Sequence, residues 1–185
     1  MLRHSSGARR AFVGAGTPLN GSYGLIRLPL TGGCQCGSLR YEITQAPNLV
    51  YACHCTECQR LTGSAFSMGL VIMTEAFALT GTEPRPIQRT ADSGRTLTRW
   101  VCPECGTSIC NGSDPGSASP GERRVVRAGT LDDTSWLRPI VHFWTRSAQP
   151  WVTLPKGSVK FDTQPAEFGW DEAPIEAMIQ GGRAQ

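Results

Sequence analysis

The spacing of the cysteines constrains this chain more than any other feature of its sequence. Seven of the eight cysteines fall into three close groups, which are Cys34/Cys36, Cys53/Cys55/Cys58 and Cys102/Cys105. Short C-x-C and C-x-x-C turns each bring two thiolates to one side of a metal ion, and a structural zinc ion takes four such ligands. The first and third groups each supply half of a tetrahedron. We therefore predict that Cys34, Cys36, Cys102 and Cys105 share one structural zinc ion.

A metal ion shared by these two groups would close a long loop. Cys36 and Cys102 are 66 positions apart. A cross-link over such a loop restricts the unfolded chain strongly, so we expect it to stabilise the fold. Gly37 and Gly106 follow the two groups, and glycine permits the tight turns that direct backbone N–H groups toward thiolate sulfur.

The middle group offers only three thiolates. Three protein ligands with a fourth position open are typical of a working metal site. His54 is a candidate fourth ligand, but side chains alternate along an extended segment, so we expect it to point away from Cys53 and Cys55. A water molecule or a substrate thiol is the expected fourth ligand. The sequence thus predicts two zinc ions per chain, the second held more weakly, with three metal-free or redox-active thiols as the alternative.

Disulfide bonds are the other common use of cysteine. Eight cysteines in 185 residues are too sparse for a small disulfide-stapled secreted domain. The N-terminal region shows no secretory signal, and no apolar run is long enough to span a bilayer. We therefore expect reduced cysteines, a cytoplasmic location and no membrane partner.

The net charge of +3 comes from the N-terminal region. Residues 1–30 contain four arginines and no acidic residue, and the remainder has 14 basic and 15 acidic residues. The remainder shows no basic stripe of the kind that binds a nucleic acid backbone. We expect no nucleic acid partner.

Three segments are predicted along the chain. Residues 1–30 are rich in Gly, Ser and Arg, and we expect a flexible extension whose removal changes stability little. A transit peptide, or pairing of the apolar stretch 25–28 as a strand, is the alternative. Residues 31–160 should form the zinc domain, and residues 161–185 a C-terminal segment with a short helix.

Local patterns within the zinc domain predict a mostly β fold with short helical turns. Alternating or apolar runs bounded by turns predict seven strands, at Ser38–Ile43, Leu49–Cys53, Phe66–Ile72, Glu75–Thr80, Leu97–Val101, Arg124–Ala128 and Val141–Trp144. Helical turns are expected over Thr56–Leu61, with Thr56 as the cap, and over Trp170–Gln180. Asp114–Glu122 is a polar loop.

Five segments, in order, resemble one known family. They are GGCQCGSLRYE (32–42), CHCTECQRLTGSAF (53–66), CPECGTSI (102–109), VVRAGTLDD (125–133) and HFWTRSAQPW (142–151). Together they resemble the glutathione-dependent formaldehyde-activating enzymes, also called the centromere-protein-V/GFA domain. The resemblance extends from Gly32 to about Lys156.

The resemblance implies a fold, a metal content and an activity. The fold would be an Mss4-like, zinc-stapled β domain. Cys34, Cys36, Cys102 and Cys105 would hold the structural zinc, and Cys53, Cys55 and Cys58 a second, catalytic zinc. The implied activity is that of S-(hydroxymethyl)glutathione synthase, a carbon–sulfur lyase in the reverse sense, which joins glutathione and formaldehyde. A small thiol such as glutathione is the implied partner.

Glutathione would also require residues that bind and enclose it. Its two carboxylates pair with arginine or lysine, and Arg60, two residues after Cys58, is the first candidate, with Arg146 the second. We expect Gly63, Ser64 and Phe66 to shape the rim of a pocket, and Phe66 and Trp144 to line it.

Two other functions remain open at this point. One is a non-catalytic zinc module that binds a protein partner, and the other is a thiol-reactive or metal-buffering protein. An enzyme should show a concave pocket beside Cys53, Cys55 and Cys58. A binding module should instead show an exposed apolar patch away from the metal.

Overall fold

The mostly β class predicted from the sequence is confirmed. The computed structural model describes residues 26–91, 94–116 and 121–165. Within them the chain forms one short α-helix, α1 (Thr56–Thr62), and eleven strands. The strands are β1 (Leu30–Gly33), β2 (Leu39–Ile43), β3 (Leu49–Cys53), β4 (Ser67–Met73), β5 (Phe77–Gly81), β6 (Arg85–Thr90), β7 (Thr96–Val101), β8 (Ser108–Asn111), β9 (Arg123–Arg127), β10 (Val141–Phe143) and β11 (Val159–Phe161).

The strands form a small sheet and a large sheet. The small sheet has the order β1-β2-β5, and the large sheet has the order β11-β10-β3-β4-β9-β8-β7-β6. Strand β10 runs parallel to β3 and β11, and the other pairs are antiparallel. A single bridge between Gly32 and Leu131 connects the small sheet to the segment that follows β9.

The main core lies between the two sheets. Leu39 and Ile43 of β2 belong to the same buried cluster as Leu70 and Ile72 of β4 and Val126 of β9. Burial of one such side chain contributes roughly 1.5–3 kcal/mol relative to exposure. The same cluster includes Cys34 and Cys102, one from each of the two groups, so the core extends to the predicted structural zinc site.

The opposite face of the large sheet carries a second core. Leu49, Val71, Val125 and Phe143 are buried there, and Cys53 packs against them. Because β4 is covered on both faces, its sequence is an almost continuous apolar run and does not alternate.

Most of the predicted strands are present. Six of the seven lie within one residue of their predicted bounds. The seventh, Glu75–Thr80, begins as a 3-10 turn over Thr74–Ala76, and strand β5 starts at Phe77. Strands β1, β6, β8 and β11 were not among these seven, because they are short or mostly polar. The predicted helix at 170–180 lies outside the described residues.

No helix in the part of the chain that the structure describes combines the length and the apolar character needed to cross a bilayer.

The start of the described chain packs against the core. Ile26 and Leu28 are half-buried against the main cluster, and Leu30 is buried as the first residue of β1. Ile26 and Leu28 therefore contact the folded domain, but they precede β1 and do not pair as the strand that the alternative expected. The domain boundaries themselves stay predictions, since residues 1–25 and 166–185 lie outside the described residues.

A pair of N-terminal deletions separates these alternatives. A protein lacking residues 1–29 should be less stable than one lacking residues 1–25 by about 1–3 kcal/mol, because Ile26 and Leu28 lose their buried contacts. Urea denaturation of both variants measures the difference. Equal midpoints would support a separate extension that ends at residue 30.

Candidate metal centres and the three-thiol site

The first and third cysteine groups meet in space. Cys34 and Cys36 follow β1 in the small sheet, whereas Cys102 and Cys105 lie between β7 and β8 of the large sheet. Their four sulfur atoms all lie within 4.8 Å of one another. The predicted joint site of four thiols is therefore formed in the structure.

Each of these two groups sits on a tight turn that depends on glycine. The N–H of Gly37 donates to the carbonyl of Cys34 at 3.1 Å, and the N–H of Gly106 donates to the carbonyl of Cys102 at 3.0 Å. Gly37 has a φ of 79° and Gly106 a φ of 74°, in the left-handed region that favours glycine. The glycines that the sequence placed after each group thus close the turns that bring the thiols together.

Hydrogen bonds favour the thiolate form of Cys34 and Cys105 in this cluster. Hydrogen bonds with Ser38 lower the pKa of Cys36, but contacts with the Cys34 and Cys105 thiols outweigh them, so that the pKa of Cys36 is raised. Burial raises the pKa of Cys34, but the Leu39 N–H, which lies 3.3 Å from its sulfur, and neighbouring donors together lower the pKa to about 7. The hydroxyl and N–H of Thr107 lower the pKa of Cys105 to about 5. Because metal-bound cysteine is a thiolate, this environment suits metal binding.

The sulfur spacing fits zinc and not disulfides. In a tetrahedron with Zn–S bonds of about 2.3 Å, the sulfurs lie about 3.8 Å apart. Cys34 and Cys36 are separated by 3.4 Å between sulfurs, and Cys36 and Cys102 by 3.9 Å. All eight cysteines are free thiols. The four-thiol cluster could therefore hold one metal ion such as zinc.

The middle group forms a second, smaller cluster. Cys53 ends β3, Cys55 precedes α1 and Cys58 lies within α1. Their three sulfurs lie within 4.8 Å of one another, and those of Cys53 and Cys55 are 3.6 Å apart. All three residues are partly exposed. The cluster could hold a metal ion and leave one side accessible.

Cys55 also begins the helix. Its backbone is extended, and its sulfur accepts a hydrogen bond from the Cys58 N–H at 3.3 Å. The expectation that Thr56 is the cap is wrong, because Thr56 already occupies the first helical position. Hydrogen bonds from the Cys53 and Cys58 thiols hold the pKa of Cys55 far below its usual range, whereas the same contact raises the pKa of Cys53. Hydrogen bonding within the trio therefore favours the thiolate form at Cys55.

His54 points away from the three thiols, as the alternation of an extended segment predicts. It is fully buried, and its Nε2 lies 3.0 Å from Nδ1 of His142. Its ring also lies 5.3 Å from the ring of Phe66. Burial lowers the pKa of both histidines, that of His142 to about 4. His54 is thus a packed, hydrogen-bonded residue and does not join the thiol cluster.

Gln59 connects the thiol helix to the segment after β10, and sequence reasoning missed it. Its side-chain amide donates to the carbonyl of His54 at 2.7 Å and to the carbonyl of Ser147 at 2.8 Å. Its oxygen accepts a hydrogen bond from Gln149 at 2.8 Å. No local pattern distinguishes this glutamine from an exposed helical residue, because Ser147 and Gln149 are about 90 positions away.

Arg127, another residue that sequence reasoning missed, lies on the same face as Cys53. Its guanidinium donates to the Ser67 hydroxyl at 2.7 Å and to the Asn111 side-chain oxygen at 3.1 Å. Ser67 is the direct cross-strand partner of Cys53. Arg127 falls within one of the resembling segments, but only the strand register reveals that it lies on the same face as Cys53.

The predicted carboxylate-binding arginines have local partners. The Arg60 side chain is 78% exposed and donates to Glu57 at 2.7 Å. The Arg146 guanidinium lies 4.9 Å from the ring centre of Trp144. Whether either arginine binds substrate stays a prediction.

A shallow, open groove of about 430 Å³ lies beside α1. Its lining consists of Gln59, Gly63, Ser64, Ala65, Gln149 and Trp151, and a substrate contact of Gly63 and Ser64 stays a prediction. Phe66 and Trp144 are not among its lining residues. The Phe66 ring packs toward buried His54, and Trp144 packs against the second core with its backbone in the left-handed region. The expected placement of these two aromatic residues is therefore not seen at this groove.

Elemental analysis tests the metal content that the two clusters suggest. We expect freshly purified protein to contain two zinc ions per chain, and a mild chelator to remove one of them, because the three-thiol cluster supplies only three of the four ligands that a structural zinc ion takes. A zinc content near one ion per chain that chelation does not lower would rule out the second metal site. An intact fold without any metal would contradict both sites.

Cysteine substitutions test the difference between the clusters. Cys34→Ser and Cys105→Ser should lower the melting temperature strongly or prevent folding, since a closed zinc site contributes directly to folding. Cys55→Ser should retain the fold, because serine is itself a favoured helix cap and can replace the sulfur at that position. Thermal melts of the three variants decide this. Equal destabilisation by all three would make both clusters structural.

Three fungal proteins are similar to this chain, and each is provisionally named glutathione-dependent formaldehyde-activating enzyme. The protein from Penicillium rubens is 30% identical over 125 residues, which cover 66% of this chain and 62% of that protein. The protein from Emericella nidulans is 31% identical over 78 residues, covering 41% of this chain and 39% of that protein. The chain thus matches less than two thirds of the length of either relative.

A solved structure and a family match complete the comparison. A crystal structure of a Rhodobacter sphaeroides protein has a TM-score of 0.41 at 17% identity and covers 55% of this chain and 87% of that one, a likeness too weak to carry an argument. Residues 29–147 match the glutathione-dependent formaldehyde-activating enzyme family, and this span includes both cysteine clusters. The chain therefore belongs to the glutathione-dependent formaldehyde-activating enzyme family.

Proposed function

We propose that this protein is a zinc-dependent carbon–sulfur lyase that acts on thiol–aldehyde adducts. Its reaction would be that of an S-(hydroxymethyl)glutathione synthase, which joins glutathione and formaldehyde. The observation that carries the proposal is the partly exposed cluster of exactly three convergent thiols, Cys53, Cys55 and Cys58. Family membership supports the substrate class, a small thiol together with formaldehyde.

The two clusters would have separate roles. Cys34, Cys36, Cys102 and Cys105 form a complete four-sulfur set that leaves no ligand position for a substrate. Cys53, Cys55 and Cys58 would hold the second ion and leave one position for a substrate sulfur. A zinc ion held there would lower the pKa of a thiol that approaches it.

A zinc ion held by three thiolates would be better suited to bind a substrate thiolate than to polarise a carbonyl group. Three thiolates carry more negative charge than a divalent ion neutralises, so the site would polarise a carbonyl oxygen weakly. The substrate sulfur would attack the carbonyl carbon of formaldehyde, forming the C–S bond. The carbonyl electron pair would move to oxygen, which would take a proton from water. The reverse reaction breaks the same bond and returns formaldehyde and the thiol.

The chain would contribute positioning of the substrate. Gln59, Gly63 and Ser64 line the groove beside α1, so part of a peptide thiol could lie there while its sulfur reaches the cluster. In this proposal Arg60, Phe66, Trp144 and Arg146 remain candidate substrate contacts at its margin. A cytoplasmic location would supply glutathione and keep the thiols reduced.

One observation favours the protein-binding alternative. Trp151 is 74% exposed at the groove, and large exposed aromatic side chains are frequent at protein interfaces. Removal of one thiol should change ligand binding at a thiol site, whereas it should leave a protein-binding surface at this groove unchanged.

Calorimetric titration tests the proposed function. Glutathione should bind the zinc-loaded protein, whereas S-methylglutathione, whose sulfur cannot become a thiolate, should bind at least tenfold more weakly. Cys55→Ser should abolish the difference between the two ligands, because it removes one of the three donors. Synthase rates should be compared with the enzyme-free reaction at the same pH, since the adduct also forms unaided.

The results separate the candidate functions. Equal affinity for the two ligands would rule out a thiolate held at the cluster. Absence of both thiol binding and rate enhancement at millimolar glutathione would reject the proposed function in favour of the binding module.

A further inference from the structure

On one face of the large sheet, four arginines lead from the outer strand β6 toward the three-thiol cluster. Alternate residues of a strand point to the same face, so the register identifies the members. Arg127 pairs with Gly69, two residues from Ser67, the partner of Cys53. Arg127 therefore lies on the face that presents Cys53.

The remaining members continue across the sheet to its edge. Asn111 accepts a hydrogen bond from Arg127 and is the cross-strand partner of Arg99. Arg99 in turn lies opposite Ile87 of β6, and Arg85 and Arg89 flank Ile87 on the same face. We call Arg85, Arg89, Arg99 and Arg127 the arginine row.

Helix α1 adjoins this row. Nη1 of Arg89 lies 3.8 Å from Oε2 of Glu57, which stands between Cys55 and Cys58 in the helix. The row therefore approaches the thiols from two sides, through Arg127 next to the partner of Cys53 and through Arg89 next to the thiol helix.

Positive charge in the row exceeds the negative charge around it. Glu57 is the one described carboxylate in an ion pair with the row, and it also pairs with Arg60. Arg99 is half-buried and forms no side-chain hydrogen bond or ion pair with the described residues, and its Nε is buried without a partner. Burial lowers the pKa of Arg99, and the charges of Arg127, Arg89 and Arg85 lower it further.

Such an arrangement is costly unless an anion neutralises it. Like charges on neighbouring strands repel one another, and a guanidinium that is partly out of water gains most from a charged acceptor. Arg127 is held in place by Ser67 and Asn111, whereas Arg99 retains its hydrogen-bond donors for a ligand. Arg60, in contrast, is largely exposed, where solvent weakens an ion pair.

We propose that the arginine row, centred on Arg99, binds a carboxylate of the thiol substrate and thereby selects an anionic thiol over a neutral one. This inference rests on the proposed function, because it assumes that the substrate sulfur reaches Cys53, Cys55 and Cys58. It assigns specificity to the sheet face formed by β6–β9, whereas the sequence alone favoured Arg60 and Arg146.

The experiment compares ligands that differ only in their carboxylates. Calorimetric titrations of zinc-loaded, full-length protein would use glutathione and glutathione diethyl ester, which keeps the thiol and masks both carboxylates. Arg99→Gln should weaken glutathione binding roughly tenfold or more, the scale of one charge-assisted contact, and leave the ester unaffected. Arg99→Lys should restore part of the affinity because it restores the charge.

Matched variants control for general charge and for the rival arginine. Arg95→Gln removes an exposed arginine from the same hairpin and should change the affinity less than twofold. Equal weakening of both ligands by Arg99→Gln would reveal a structural effect and overturn the proposal. Unchanged glutathione affinity in Arg99→Gln, with a loss in Arg60→Gln, would move the carboxylate site to Arg60.

A thiol-free ligand separates failure of this inference from failure of the proposed function. S-methylglutathione keeps both carboxylates, so Arg99→Gln should weaken its binding by the same factor as that of glutathione. If neither glutathione nor its ester binds through sulfur, the proposed function fails. The effect of Arg99→Gln on the affinity for S-methylglutathione then tests the arginine row independently. Identical binding of that probe to the parent protein and to Arg99→Gln, or no binding to either, would overturn the inference.

Discussion

The meeting of two cysteine turns determines how the two sheets are arranged. The turn with Cys34 and Cys36 belongs to the small sheet, and the turn with Cys102 and Cys105 belongs to the large one. Both Cys34 and Cys102 are buried members of the core between the sheets. A metal ion bound at this cluster would act directly on the packing of the core, because the four thiols converge only when the two sheets are in contact.

The three-thiol cluster depends on that arrangement indirectly. Cys58 lies within α1 and Cys55 caps it, and a helix of 7 residues is too short to be stable alone, so tertiary contacts must hold it. Gln59 connects the helix to the carbonyl of Ser147, and His54 packs against His142 beneath it. Both contacts join the thiol segment to the region around β10, and the position of the thiols is therefore set by residues distant in sequence.

The parts of the fold that were predictable are those encoded locally. Cysteine spacing identified both clusters, and alternation or apolar runs located strands such as β2 and β4. The groove was predicted less well, since the left-handed backbone of Trp144 has no propensity signal. Gln59 and Arg99 could not be recognised because their relation to the thiols arises from tertiary contacts and strand register. A sequence motif identifies the thiols that cluster, whereas the residues that surround them are visible only in the folded chain.

Strand β6 has a further consequence for the behaviour of the protein in solution. It is the outer strand of an eight-stranded sheet, and its side chains are mostly exposed. An uncovered outer strand can recruit a strand from another molecule and start aggregation. Pro86 lacks an N–H, and the charges of Arg85 and Arg89 repel the same strand in a second copy. The residues that would attract an anion thus also keep the sheet from extending between molecules.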